Sequence, residues 1–282
     1  MERTGGIPEM KIGLIDGPVF TQHSDLTSER LNEISKNKAA SCTAMNSIAC
    51  THGTFVAGIL SAKRTSSAPA ICPDCTLLLR PVFSEITSGI ENMPGTTPLE
   101  LATAITECIY AGARIINLSL GLAHPSTRGE QALEEALHQA LTHGVIVVAA
   151  AGNQSTLGSS TITRHQWVIP VIACNSYGRP MNESNLSSSI GRRGLSAPGS
   201  DITSLGTEGQ AITISGTSVA VPFVTGAIAL LWSAFPAATA AQIKLAITQA
   251  TTLRRASVVP PLLDAAAAYQ LLLSTNERKR IA

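Results

Sequence analysis

Five short apolar runs, at residues 11–15, 76–81, 114–118, 145–151 and 168–173, lack the regular polar alternation of a strand with one wet face. Strands built this way must be covered on both faces. Between and after the runs lie stretches of helical character. Residues 52–62 hold small and apolar side chains, 99–111 end at Gly112, and the amphipathic 130–143 stops at Gly144. Further helices are expected at 218–234, 240–250 and 262–273, with a weaker helical pattern at 26–34. Strands alternating with helices of this length predict an α/β fold: a single domain whose mostly parallel sheet carries helices on both faces. Its core is expected over about residues 11–250, with a C-terminal helical tail at 251–282. A chain of 282 residues is long enough to bury such a core, and no internal repeat divides it.

Composition narrows the function classes. With 44% hydrophobic and 14% charged residues, the chain reads as globular rather than disordered. Net charge is +1 and no basic stripe interleaves with aromatics, so nucleic acid is not an expected partner. The basic end at 277–280 reads as a solvated terminus. The longest apolar stretches, 145–151 and 219–232, are short or broken by Gly and Pro, against the ~18 residues a membrane span needs, so no membrane partner is expected. The N-terminus shows no basic start leading into an apolar stretch, which predicts a cytoplasmic location. Six cysteines include Cys72-Pro-Asp-Cys75, the spacing of a zinc half-site or redox pair. No second pair stands at matching spacing, so structural thiols or local disulfides are the favoured reading.

Acyl transfer needs a nucleophile, a base and a group that orients the base. Of five aspartates, only Asp16 directly follows a buried strand, at the edge where open α/β sheets place their sites. His52 opens a helical segment whose Gly53, Ala57 and Gly58 allow close packing on the sheet. Ser218 stands where a long apolar helix begins, and the free N–H groups there favour developing negative charge. Pro222 then falls in what reads as the first helical turn. Asn153 ends an apolar strand and carries a side-chain amide suited to an oxyanion. Each has an ordinary structural reading as well: turn Asp, core His, N-cap Ser, turn Asn.

Taken in order, Asp-Gly after a strand, His-Gly-Thr-x-Val-Ala-Gly-Ile, Ala-Ala-Gly-Asn and Gly-Thr-Ser-x-Ala-x-Pro resemble the subtilisin-like serine proteases across residues 11–250. The resemblance implies Ser218 as nucleophile, His52 as general base and Asp16 as its orienting partner, with Asn153 and the Ser218 N–H as oxyanion donors. It also implies a peptide partner. Ser119, Leu120 and Gly121 would pair with an extended substrate, while Ala150, Ala151 and Gly152 would wall the pocket before the cut. No cofactor is implied, and dense Asp clusters suited to calcium are missing, so no metal is expected.

Three features depart from the family's pattern. Asp16-Gly17-Pro18 stands in place of Asp-Thr-Gly or Asp-Ser-Gly, Phe55 replaces a His, and only 15 residues precede Asp16, where secreted members carry a folding pro-segment. Ile15-Asp16-Gly17-Pro18-Val19 and Cys75-x-x-Leu78-x-x-Pro81-Val82-Phe83 resemble a narrower group, the leader-removing proteases of cyanobactin-type peptide biosynthesis. Related macrocyclases carry a helical insertion near the catalytic His, and residues 53–75 leave little room for one, which favours hydrolysis. A general intracellular protease and a catalytically silent peptide-binding domain are the alternative readings.

Overall fold

The computed structural model describes residues 4–35, 41–85, 95–120, 129–250 and 257–281, with side chains as far as Thr275. Its first half runs β1 (Lys11–Asp16), β2 (Leu31–Glu33), α1 (Ile48–Ser61), β3 (Thr76–Pro81), α2 (Pro98–Tyr110), β4 (Ile115–Leu118), α3 (Glu130–Thr142) and β5 (Ile146–Ala150). Then come α4 (Thr161–Arg164), β6 (Ile169–Cys174), α5 (Ser188–Arg193), β7 (Leu195–Pro198), β8 (Ile202–Leu205), β9 (Ala211–Ile214), α6 (Thr217–Ala234), α7 (Ala240–Gln249) and α8 (Ala265–Ile281). Seven strands form one sheet in the order β2-β3-β1-β4-β5-β6-β7, every neighbouring pair parallel. β8 and β9 make a separate antiparallel hairpin.

The apolar runs are explained by what covers them. Along β1, β3, β4 and β5, side chains alternate between two cores. Ile12, Leu14, Leu77, Leu79, Ile115, Ile146 and Val148 join one, and Ile15, Leu78, Ile116, Val147 and Ala149 join the other. The first lies under α1, α6, α7 and α8, and the second under α2 and α3. Both faces are covered, so most strand side chains are apolar, and the few buried polar ones, such as Asn117 on β4, are hydrogen-bonded. α6 is long and apolar enough to cross a membrane by length and composition, with mean hydropathy 1.6, which the broken-run reading of 219–232 did not anticipate. Most of it is buried against the sheet: Val221, Val224, Ile228 and Trp232 have essentially no exposed surface.

Two segments differ from expectation. The helical pattern at 26–34 yields only a single turn of 3-10 helix, Ser28–Arg30, and then β2. Pairing of Leu31 with Leu77 at the sheet edge outweighs a weak local preference. The C-terminal region is more than an appended tail. Residues 251–256 lie outside the described residues, but 257–263 run beside β7, where Ser196 donates to Pro261 (2.7 Å) and Leu263 donates to Ser196 (2.8 Å). α8 then returns onto α6, with Tyr269 stacked at a tilt on Phe235 at 5.1 Å. Of the cysteines, Cys42 and Cys50 form a local disulfide, while Cys72, Cys75, Cys108 and Cys174 are buried thiols.

α2 lies close to the central strand because β1 has no side chain at Gly13. A Cβ there would stand 2.7 Å from Cys108 Sγ. Gly13→Ala is therefore expected to destabilise the protein by about 1–3 kcal/mol through overpacking. Cys108→Ala in the same chain should recover part of that loss, read from urea unfolding of both single variants and the double.

Candidate active site

A parallel sheet brings all its strand C-termini to one edge. In this strand order the chain moves away from β1 in one direction through β3 and in the other through β4, so a crevice opens beyond the ends of β1 and β4. Asp16 is the last residue of β1, Ser119 and Leu120 follow β4, and Asn153 follows β5.

α1 carries His52 to this edge. The helix starts earlier than the sequence suggests: Ser47 caps it by accepting from Cys50 N–H at 3.1 Å, so His52 lies in the second turn rather than at the opening. Two glycines set its approach. A Cβ on Gly17 would fall 1.9 Å from the Ala49 carbonyl oxygen, and one on Gly53 would fall 2.4 Å from that of Pro18. This contact is the physical reason for Asp-Gly in place of Asp-Thr or Asp-Ser. The other departure, Phe55, is fully buried with Ile59 and Val219 beneath the β8–β9 hairpin. The Cys42–Cys50 disulfide ties the preceding segment to the helix's first turn.

The structure brings Asp16, His52 and Ser218 into one hydrogen-bonded row. Asp16 Oδ1 lies 2.7 Å from His52 Nδ1, and His52 Nε2 lies 3.0 Å from Ser218 Oγ. A carboxylate only accepts, so Nδ1 carries the ring proton and Nε2 is left to accept from the Ser218 hydroxyl. Oδ1 also accepts from Gly17 N–H at 2.6 Å. Asp16 is fully buried, and its Oδ2 has no partner among the described residues. Burial opposes charge on His52, but the charge of Asp16 and its hydrogen bond outweigh this, and the imidazole's pKa is raised above its ordinary 6.5.

Ser218 is the second residue of α6, after the N-cap Gly216 at φ +148°. Its N–H is thus among those that no helical carbonyl reaches. A Cβ on Gly216 would stand 3.2 Å from Asn153 Nδ2 and 3.7 Å from Ser218 Oγ, so the glycine keeps the space between them open. Asn153 is held from one side: its Oδ1 accepts from Thr217 N–H at 2.9 Å, which turns Nδ2 towards that space. Thr217 Oγ1 in turn accepts from Gly152 N–H at 3.2 Å. Pro222 lies deeper than the first turn, as the sixth helical residue. An ordinary residue there would donate its N–H to the carbonyl of Ser218. That carbonyl instead accepts from Ser119 Oγ at 2.8 Å.

Ala150, Ala151, Ser119 and Leu120 are all nearly buried along the crevice walls, while Gly121 lies outside the described residues. Gly152 adopts φ +103°, and a Cβ there would meet Asn185 Nδ2 at 2.4 Å. Asn185 braces the loop after β5: its Oδ1 accepts from Gln154 and Thr156 N–H, both at 3.0 Å. Sequence reasoning missed Asn185 and Thr217 as supports of the site. Thr217 sits inside the Gly-Thr-Ser motif and was open to detection, whereas Asn185 carries no local signal.

Replacing Asp16 by Asn removes the carboxylate charge, one of the two Asp16 effects that raise the His52 pKa against burial. Ring-proton NMR should show His52 titrating above 6.5 in the wild type and lower than the wild type in Asp16→Asn. An unmoved titration would contradict the pairing.

Comparison with known proteins agrees with this geometry. The Subtilase family model matches residues 8–270. Subtilisin DY of Bacillus licheniformis is 30% identical over 245 residues, covering 86% of this chain and 84% of that protein. The thermostable alkaline protease of Halalkalibacterium halodurans is 33% identical over 202 residues, covering 71% of this chain and 52% of that protein. Among solved structures, the protease domain of PatA superposes with a TM-score of 0.87 at 28% identity, covering 98% of this chain and 99% of that one. The prenylagaramide maturation protease PagA gives 0.82 at 27% identity, covering 96% of both chains. The PatG macrocyclase domain shares the fold, with a TM-score of 0.80 at 20% identity over 97% of this chain and 94% of that one. In sequence, fold and site geometry alike, the chain belongs to the subtilase family and is a subtilisin-like serine endopeptidase.

Proposed function

We propose that this endopeptidase removes a leader from the precursor peptide of a ribosomally made natural product, with Ser218 as its nucleophile. The observation that carries the chemistry is the row Asp16–His52–Ser218 at the head of α6. His52 Nε2 takes the hydroxyl proton as Ser218 Oγ bonds to the scissile carbonyl carbon, whose π electrons move to oxygen. Asn153 Nδ2 and the Ser218 N–H then face that oxyanion. His52 returns the proton to the leaving amine as the C–N bond breaks, and water repeats the sequence in reverse to free the acid and Ser218. Asp16 keeps the ring in the productive tautomer and stabilises its positive charge. An extended peptide would add along Ser119, Leu120 and Gly121 by backbone pairing, with Ala150, Ala151 and Gly152 beside the side chain before the cut.

Leader removal is supported by three observations. The solved structures at 27–28% identity that match nearly the whole chain include the PagA and PatA proteases, the first named for maturation of a prenylagaramide and the second of a patellamide. The two segments that carry the narrower resemblance are neighbours in space: Asp16 pairs with Pro81, and Val82 N–H donates to the Asp16 carbonyl at 2.8 Å. Residues 62–75 connect α1 to β3 without a helix, which fits hydrolysis rather than macrocyclisation.

A fluorophosphonate probe should label the folded wild type and leave Ser218→Ala unlabelled. A well-folded wild type that stays unlabelled would instead favour a silent peptide-binding domain. Asn153→Ala is expected to reduce kcat by ~10²–10³, a factor measured on a subtilisin's corresponding Asn, with a smaller change in KM. A leader-bearing precursor should be cut once, at the leader's end, and far faster than unfolded casein. Indiscriminate digestion of casein would identify a general protease.

A further inference from the structure

Beneath the nucleophile runs a line of buried polar groups that acyl transfer itself does not use. Thr225 Oγ1 donates to Asn117 Oδ1 at 2.8 Å, Asn117 Nδ2 donates to Ser119 Oγ at 2.8 Å, and Ser119 Oγ reaches the Ser218 carbonyl oxygen at 2.8 Å. Asn117 and Thr225 have no exposed surface and Ser119 only 2%. With Asn117 Nδ2 towards Ser119, the direction of the line follows. An amide nitrogen can only donate, so Ser119 Oγ accepts from Asn117 and must turn its own proton elsewhere. A carbonyl can only accept, so that proton goes to Ser218. Flipping the Asn117 amide would reverse both bonds: its oxygen would capture the Ser119 proton and leave the Ser218 carbonyl unheld. With the amide as it stands, the Thr225 hydroxyl donates to Asn117 Oδ1 and completes the line.

The Ser218 carbonyl depends on this line because Pro222 supplies no helical N–H to it. An unpaired carbonyl at a buried helix start would let the first turn of α6 shift, and Ser218 Oγ and N–H would shift with it. The line also begins on β4, the strand whose continuation receives substrate. We infer that Ser119, Asn117 and Thr225 are positioning residues for Ser218: the Ser119 hydroxyl replaces the helical hydrogen bond that Pro222 removes and fixes the nucleophile relative to the substrate-binding edge. This rests on the reading of Ser218 as nucleophile. It adds a role for the Ser119 side chain, distinct from the backbone pairing proposed for that residue.

The test compares Ser119→Ala, Thr225→Val and Thr225→Ser with the wild type and with Ser218→Ala as the unreactive control. The second-order rate constant for fluorophosphonate labelling reads the poise of Ser218 without peptide pairing. The melting temperature and final labelled fraction report folding. Ser119→Ala and Thr225→Val should react about tenfold more slowly, the factor that goes with losing one hydrogen bond of ordinary strength, while still labelling to completion. On a peptide substrate the loss should fall on kcat, with KM held. Thr225→Ser keeps the donor and should restore the rate, which a loss of packing alone would not predict. Ser119→Ala reacting as fast as the wild type overturns the inference, as does a Thr225→Ser variant as slow as Thr225→Val. Slowing that appears only as a smaller labelled fraction also overturns it, since that is unfolding. If the wild type itself fails to label, the reading of Ser218 falls first.

Discussion

Asp16 is a carboxylate with no exposed surface, and leaving such a group unpaired costs several kcal/mol. It is paired because α1 comes close enough to set His52 against it, and α1 comes close because residues 17 and 53 lack side chains. The same approach lets Phe55 seal the space under the β8–β9 hairpin, next to Val219 on α6. The position of α1 is therefore fixed twice, once by a polar demand at the sheet edge and once by apolar packing behind it. His52 can hold one ring orientation only because both agree.

The opposite wall depends on α6, where position and chemistry are harder to separate. The helix is mostly apolar and sits in the larger core, so burial fixes it along most of its length. Its first turn buries Val219 and Ala220 as well, yet its backbone groups still need polar partners. Gly216 must stay bare to leave room beside Asn153, and Pro222 removes a backbone bond from Ser218. Polar contacts add to that packing: Asn153 on Thr217 N–H, Thr217 on Gly152, and Ser119 on the Ser218 carbonyl. A helix end tied to loops after two different strands moves less than one tied only to itself. In the proposed mechanism Asn153 and the Ser218 N–H, both on segments tied in this way, would face the oxyanion, and donors held in place before the reaction need no reorganisation during it.

Much of this was legible in the chain. The five apolar runs gave both faces of a parallel sheet, because burial on two sides removes the polar alternation that burial on one side leaves. Strand bounds at 76–81 and helix bounds at 130–143 lie within a residue of those observed. Asp16, His52, Asn153 and Ser218 stood out because each follows or opens a regular element at the one edge where such sheets assemble sites. The weaker inferences failed where local pattern met tertiary demand. Residues 26–34 have some helical character, yet an edge strand needed Leu31. Pro222 looked harmless because the helix start was read one residue late and its first turn too generously.

The sequence by itself determined most element types, through short-range periodicity, and the identity and order of the candidate catalytic side chains, through motifs that resemble the subtilases. Tertiary structure decided which of them meet. That Asp16, His52 and Ser218 share one row depends on a sheet order that crosses over at β1, a long-range choice that no local window contains. The support beneath them is longer-range still. Thr225 and Asn117 stand 108 residues apart, and their bond exists only because α6 packs across β4. Hydrogen-bond partners are set by direction within a few tenths of an ångström, and only the packed chain supplies that.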